Sequence, residues 1–198
     1  YMGEHGWFDK RFMYEESFHT PLIISYPKHI QPKSECNQMV QNIDFAPTFL
    51  DLAGLEKPKY MPGTSLQPLF AGQPVKKWRK SLYYHYYDYP TYHLVRKHDG
   101  VRTERYKLIH FYGNGGERAV VENKYQAQPG TRENNCFNAL KSINYFTNDA
   151  DIDYWELYDI KSDPNELHNI YGKPGTQKIE KELKKLLANY RKNLKVDE

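Results

Sequence analysis

The chain has 198 residues, with 28 Lys and Arg against 25 Asp and Glu and a formal net charge of +3. A balance this close gives no electrostatic ground for a nucleic-acid partner. Apolar residues make up 39% of the chain, enough for a buried core, yet no apolar run approaches the roughly 20 residues of a membrane-crossing helix.

Tyrosine is over-represented, with 18 copies. Flat rings with a hydroxyl suit an antiparallel sheet or a surface that meets sugars, and composition leaves both open. Cys36 and Cys136 are the two cysteines; they match no metal-type spacing, and whether they pair stays open. The opening Tyr1-Met2-Gly3-Glu4-His5 has neither the basic nor the apolar region of a targeting segment and reads as a start within a larger protein.

In chain order, residues 1–20 read as an irregular loop and a polar turn. Pro21–Pro27 is a short apolar run bounded by prolines, the pattern of a buried strand. Asn42–Gly54 reads as a helix with Asp44 as side-chain cap, Pro47 in the first turn and Gly54 as left-handed terminator; Phe45, Phe49 and Leu52 share a face. Residues 55–80 look like a linker with a short helical piece at Leu66–Phe70. Strands are expected at Ser81–Tyr87, His93–Lys97, Val101–Arg105 and Tyr106–Tyr112, with a tight turn at Asp99-Gly100.

Residues 113–150 are polar and weakly periodic. Tyr154–Asp159 resumes a strand. Asp163-Pro164-Asn165-Glu166 has the form of a helix start, Asp163 as cap and Glu166 as capping-box partner, and Gly172 would end that helix. From Thr176 to Asn193, Ile179, Leu183, Leu186, Leu187 and Tyr190 form one apolar stripe, with Lys178, Lys181, Lys184 and Lys185 on the solvated surface.

Two stretches carry candidate chemistry. In Gly3-Glu4-His5-Gly6-Trp7-Phe8-Asp9-Lys10 two glycines permit close backbone approach, His5 can move a proton near neutral pH, and the Lys10 ammonium suits an anionic oxygen. The stretch Tyr83–His98 contains His85, His93, Arg96 and His98 without metal-type spacing. In a regular strand His93 and Val95 would share one face, Arg96 and His98 the other. These groups are either sheet-surface side chains or a polar lip around a sugar site. No GxSxG elbow, phosphate-binding GK[ST] loop or GxGxxG turn occurs.

Gly3–Ile23, with its Gly-Glu-His-Gly and Lys10, resembles the segment that follows the last metal ligands in sulfatases of the alkaline-phosphatase superfamily. Asn42–Gly54 resembles that family's next helix, and Trp155–Asp159 with Asp163–Asn169 is similar to its C-terminal signature. Tyr83–Tyr112 most resembles bacterial sulfatases acting on N-acetylglucosamine-6-sulfate or related glycans.

The resemblance implies an α/β fold. Residues 1–75 would be the end of an alkaline-phosphatase-like sulfatase domain. Residues 76–198 would be a small antiparallel sheet with a C-terminal helix and an insertion at 113–150. It implies a sulfuric ester hydrolase, incomplete in this chain, using formylglycine and Ca2+. The formylglycine precursor and the metal ligands are expected upstream of residue 1, since neither Cys36 nor Cys136 stands in a C/S-x-P-x-R motif and no residue here matches a family metal ligand.

Lys10 matches the family lysine that contacts the sulfate, and His5 a frequent histidine of the same loop. His93, Arg96 and His98 would add substrate contacts. His19 stands where many relatives carry Arg. The partners implied are a sulfated sugar, glycosaminoglycan or mucin, and the N-terminal remainder of the sulfatase, in a periplasmic or secreted setting. A carbohydrate-binding module without catalysis, and a phosphodiesterase or phosphonate hydrolase of the same superfamily, are the alternatives.

Overall fold

The computed structural model describes residues 1–72, 75–87, 95–113 and 152–196. The chain forms two compact units, one of Tyr1–Thr20 with Tyr83–Glu198 and one of Pro21–Leu82. Residues 1–20 thus belong to the same unit as the sheet. Of the expected strand His93–Lys97, the described residues 95–97 form no strand, and β-structure begins only at His98; the insertion 113–150 lies outside the described residues apart from Gly113.

The first unit is built on a four-stranded sheet in the order β1 (Ser81–His85), β2 (His98–Thr103), β3 (Tyr106–Gly113), β4 (Ile152–Asp159). β3 runs antiparallel to both neighbours, with Ile109 opposite Gly100 on one side and Glu156 on the other. Asp99-Gly100 lies inside β2 and is not a turn; the reversal falls at Glu104-Arg105, where the Thr103 hydroxyl bonds both the N–H and the carbonyl of Tyr106, each at 3.0 Å. Gly100 is glycine because of crowding: a Cβ there would meet the Leu108 carbonyl and lie 2.6 Å from the Met13 sulfur.

Both faces of the sheet are covered. Val101, Leu108 and Leu157 pack against Leu183 and Leu187 of the C-terminal helix. On the other face Ile109, Phe111 and Tyr158 pack against Met13 and Tyr14. A strand buried on two sides loses alternation, which is why Lys107–Phe111 is buried throughout. Sequence reading supplied the helix side; the cover by Met13 and Tyr14 is new.

A short helix, α1 (Glu15–Phe18), follows that cover, and the helix on the opposite face is α3 (Gln177–Leu194). Each leucine that α3 buries is worth roughly 1.5–3 kcal/mol. Arg191 clamps it to the sheet: Nε and Nη2 donate to the two carboxylate oxygens of buried Asp99 at 2.7 and 2.6 Å, and the Tyr83 hydroxyl donates to the same carboxylate at 3.0 Å. Arg191 Nη2 also lies 2.7 Å from His110 Nδ1. A guanidinium only donates, so Nδ1 accepts and Nε2 carries the proton it gives to Asp153 at 2.9 Å. Lys184 is not simply solvated, since its ammonium sits 3.9 Å from the centre of the Trp155 ring.

Beneath Met13 lies a buried charge cluster. The Lys107 ammonium, fully enclosed, donates to the Met13 carbonyl at 2.7 Å and pairs with Glu15 and Glu166, each at 2.8 Å. Arg102 also pairs with Glu15, and the Glu15 amide donates to the second oxygen of Glu166 at 2.6 Å. Burial works to raise the Glu15 carboxyl, but Arg102 and Lys107 outweigh it and hold the group low. For Glu166 burial wins and the carboxyl titrates higher than usual.

The helix expected from Asp163 does not form. The Asp163 carboxylate does accept the amides of Leu167 and His168, at 3.2 and 2.8 Å. Glu166, however, adopts a left-handed φ of 51° and turns inward to Lys107, so the chain continues as turns to Gly172.

In the second unit α2 (Phe45–Leu52) ends as expected. Leu55 N–H bonds the Leu50 carbonyl at 2.9 Å and Gly54 N–H the Asp51 carbonyl at 3.0 Å, with Gly54 at φ 69°. Asp44 is not the side-chain cap of α2. Its carboxylate is occupied by Arg79 (2.5 and 2.6 Å) and by the amides of Gln41 and Thr64 (2.8 and 2.9 Å). Phe45 and Leu52 pack around Leu66, Leu69 and Phe70, the last group flanking a single 3-10 turn at Gln67–Leu69; Phe49 is exposed. Pro21–Pro27 forms no strand: it has no ladder partner among the described residues, and Ile23 is 92% exposed.

Lys107→Met is expected to lower the unfolding free energy by about 3–5 kcal/mol, because it leaves the enclosed Glu166 carboxylate without its cation and Glu15 with Arg102 alone. Glu166→Gln should cost less, since Lys107 keeps Glu15. Urea unfolding of both variants tests the order; equal, small losses would contradict it.

His98 generates a pH dependence. It is enclosed by Phe12, Tyr84, Tyr86 and Phe111, with Nδ1 2.7 Å from the Arg96 carbonyl, and burial pushes the imidazole down to about 4 from 6.5. The unfolded chain takes up this proton first, so the stabilisation is full above the ordinary histidine value and is lost as pH falls toward 4. His98→Phe should therefore flatten the stability profile between pH 6.5 and 4; an unchanged slope in denaturant unfolding against pH would refute the role.

Candidate functional site

The Lys10 loop is built by residues that accept left-handed backbone. Gly3, His5, Gly6 and Asp9 have φ of 128°, 55°, 72° and 83°. Gly3 N–H bonds the Trp7 carbonyl at 3.0 Å, Gly6 N–H the Gly3 carbonyl at 2.9 Å, and Trp7 N–H the Glu4 carbonyl at 3.0 Å, while Met2 and Phe8 form an isolated antiparallel bridge. These bonds close residues 1–9 into one small knot.

The chain leaving Lys10 is fixed from the sheet side. The Tyr84 hydroxyl of β1 donates to the Arg11 carbonyl at 2.7 Å, and the hydroxyls of Tyr1 and Ser17 donate to the Phe12 carbonyl at 3.2 and 2.5 Å. Arg11 also pairs with Asp9. Lys10 itself is exposed, and among the described residues its ammonium has no hydrogen-bond or ion-pair partner. The loop therefore presents a cation on backbone held at both ends. Met2, Trp7 and Phe8 are exposed beside it in sequence.

The other expected site residues do not join Lys10 on a surface. His5 turns inward, its ring stacked on Tyr14 at 4.3 Å and 12°. His98 is enclosed among aromatic rings, so no ligand reaches it without displacing them; the expectation of a substrate contact is corrected by that burial. Arg96 is half-buried and positions His98 through its carbonyl. His93 lies outside the described residues. His19 is exposed, with Nδ1 3.6 Å from Glu15, whose firmer partners are Arg102 and Lys107.

Among the described residues no three His, Cys, Asp or Glu side chains form a group able to hold a metal ion. The described residues therefore do not fit a calcium site. Cys36 is free and exposed. No helix among the described residues is long and apolar enough to cross a membrane.

The groups that sequence reading missed are charged residues within apolar surroundings: Lys107 and Asp99 in β-strands, Glu15 and Glu166 beside them. The available signal was a lone charge in a run such as Tyr106-Lys107-Leu108-Ile109, which demands a buried partner. The sequence does not say which residue, because the groups that meet Lys107 lie up to 94 positions away.

Comparison with known proteins adds the family. Residues 3–142 and 137–193 match the model of the N-sulphoglucosamine sulphohydrolase C-terminal region. An N-acetylglucosamine-6-O-sulfatase of Bacteroides thetaiotaomicron is 44% identical over 98% of this chain and 29% of its own length. An ulvan-active sulfatase of Formosa agariphila is 32% identical over 96% of this chain and 32% of its own length.

Among solved structures, that of BT4656 in complex with its substrate D-glucosamine-2-N,6-O-disulfate superposes with a TM-score of 0.77 at 44% identity, covering all of this chain and 33% of that one. A phosphonate monoester hydrolase from Silicibacter pomeroyi, at 21% identity and a TM-score of 0.65, shares the fold, over 96% of this chain and 32% of its own. The chain thus spans 29–33% of the length of these relatives. With the match of residues 3–193 to that C-terminal region, the chain belongs to the sulfatase family.

Proposed function

We propose that this chain is the C-terminal part of a glycan sulfatase and that it contributes the Lys10 ammonium to the sulfate-binding site. The observation that carries the reading is the exposed, unpartnered Lys10 on a loop fixed by Gly3–Trp7 on one side and by Tyr84 on the other. A cation held in advance at the position where charge gathers on the departing oxygen stabilises the transition state without reorganising. Because the backbone on either side is bonded, the ammonium's reach is set by one flexible side chain rather than by a mobile loop.

The substrate class follows from the relatives. Similarity to an N-acetylglucosamine-6-O-sulfatase and to a protein bound to D-glucosamine-2-N,6-O-disulfate supports a sulfate ester on the 6-position of a glucosamine unit. In this reading calcium and formylglycine belong to polypeptide outside these 198 residues, and the enzyme works in the periplasm or outside the cell on a sulfated glycan. This chain's part is to bind and orient: Lys10 meets the sulfate, and the apolar side chains of Trp7 and Phe8 help to exclude water from it.

The test is Lys10→Ala in the complete polypeptide, with sulfate release from D-glucosamine-2-N,6-O-disulfate as the assay. Loss of one pre-placed donor is expected to lower kcat about 10²–10³-fold with the thermal midpoint unchanged. Wild-type turnover by the variant would overturn the assignment.

A further inference from the structure

We infer that His5 is a positioning residue for Lys10: its imidazole fastens the ammonium-bearing loop to the sheet and does not itself touch the substrate. The inference rests on the assignment of Lys10 to the sulfate site.

His5 occupies a left-handed conformation, φ 55°, between Gly3 and Gly6. For a side chain with a Cβ that conformation costs free energy and persists only when surrounding contacts over-determine it. Those contacts are all directed inward. The ring stacks on Tyr14 at 4.3 Å and meets the edge of Tyr1 at 6.0 Å and 87°. Nε2 lies 3.3 Å from a carboxylate oxygen of Glu16, and the side chain is only 11% exposed. At 11% exposure the ring has little surface to offer a sugar.

Tyr14 is itself tied to the sheet. Its hydroxyl donates to Glu156 of β4 at 2.8 Å, and its ring packs on Tyr158 at 6.0 Å. A continuous line of contacts runs from β4 through Glu156, Tyr14 and His5 into the closed knot of Gly3–Trp7. On the far side of Lys10 the Tyr84 hydroxyl holds Arg11. His5 is thus the upstream anchor of a segment whose downstream anchor is β1, and Lys10 hangs between them. Loss of the ring frees the upstream end, and a shift of about 1 Å at a reacting centre is enough to cost on the order of 10²-fold in rate.

The experiment is a double-mutant cycle in the complete polypeptide, with D-glucosamine-2-N,6-O-disulfate as substrate and the thermal midpoint recorded for each variant. His5→Ala is expected to lower kcat about 10- to 100-fold with KM little changed. His5→Phe, which keeps a stacking ring, should retain most of the rate. His5→Ala placed on Lys10→Ala should add almost nothing, because the effect of His5 passes through Lys10.

Additive losses in the cycle would overturn the inference while leaving Lys10 in place. So would a His5→Phe variant as slow as His5→Ala, or a large rise in KM, each the mark of a direct contact. A fall in rate that only follows the folded fraction would overturn it too. Wild-type turnover by Lys10→Ala would remove the premise and the inference together. Should His5→Ala fail to fold, the His5→Phe rate alone decides: near wild type supports positioning, a tenfold loss refutes it.

Discussion

The enclosed ammonium of Lys107 is the contact on which the sheet unit depends. It sits on the central strand β3 and meets three groups from two distant segments: the Met13 carbonyl, the Glu15 carboxylate and the Glu166 carboxylate. None of these would be placed there by local structure. Residues 13–15 form a loop and the first turn of α1, and Glu166 stands in a turn with left-handed backbone. A buried cation of this kind cannot be left partly satisfied, because the desolvation cost of an unpaired charge exceeds any single apolar contact nearby. The pairing therefore fixes which residues cover the sheet as well as covering it.

That constraint reaches the Lys10 loop. Met13 and Tyr14 are held against β3 and β4, Tyr14 receives the His5 ring, and Tyr84 holds the chain just beyond Lys10. The loop presenting the ammonium is thus assembled from irregular backbone, yet every step from it to the sheet is a named bond or ring contact. Function in such a segment needs a rigid platform more than regular secondary structure. The opposite face serves a different end: α3 buries its leucines there, and Arg191 on Asp99 locks its last turns.

Much of this was legible in the residues. The leucine stripe of α3, the strand around Trp155 and the Gly54 terminator all depend on local pattern, and local pattern is what a sequence displays. The motifs also carried the family resemblance. What was not legible depends on partners far along the chain. Asp99-Gly100 has the composition of a tight turn, but the glycine answers to Met13 and the aspartate to Arg191. Asp163–Glu166 has the composition of a helix start, but Glu166 is drawn to Lys107. His98 looked like a surface ligand because its aromatic neighbours Phe12 and Phe111 come from opposite ends of the unit. These three misreadings share one origin: a polar residue whose buried partner is remote reads, in isolation, as part of a local motif or of the surface.

Hydrogen exchange at the Glu15 amide tests the central claim most directly, since that N–H is bonded to the carboxylate that Lys107 holds. If residues 13–15 are joined to the sheet as one cooperative unit, the Glu15 amide exchanges only with global opening, at the same free energy as the β3 amides. Exchange at the rate of an unprotected loop, while β3 stays protected, would show that the segment leading back to Lys10 is not fastened to the sheet and would contradict the account.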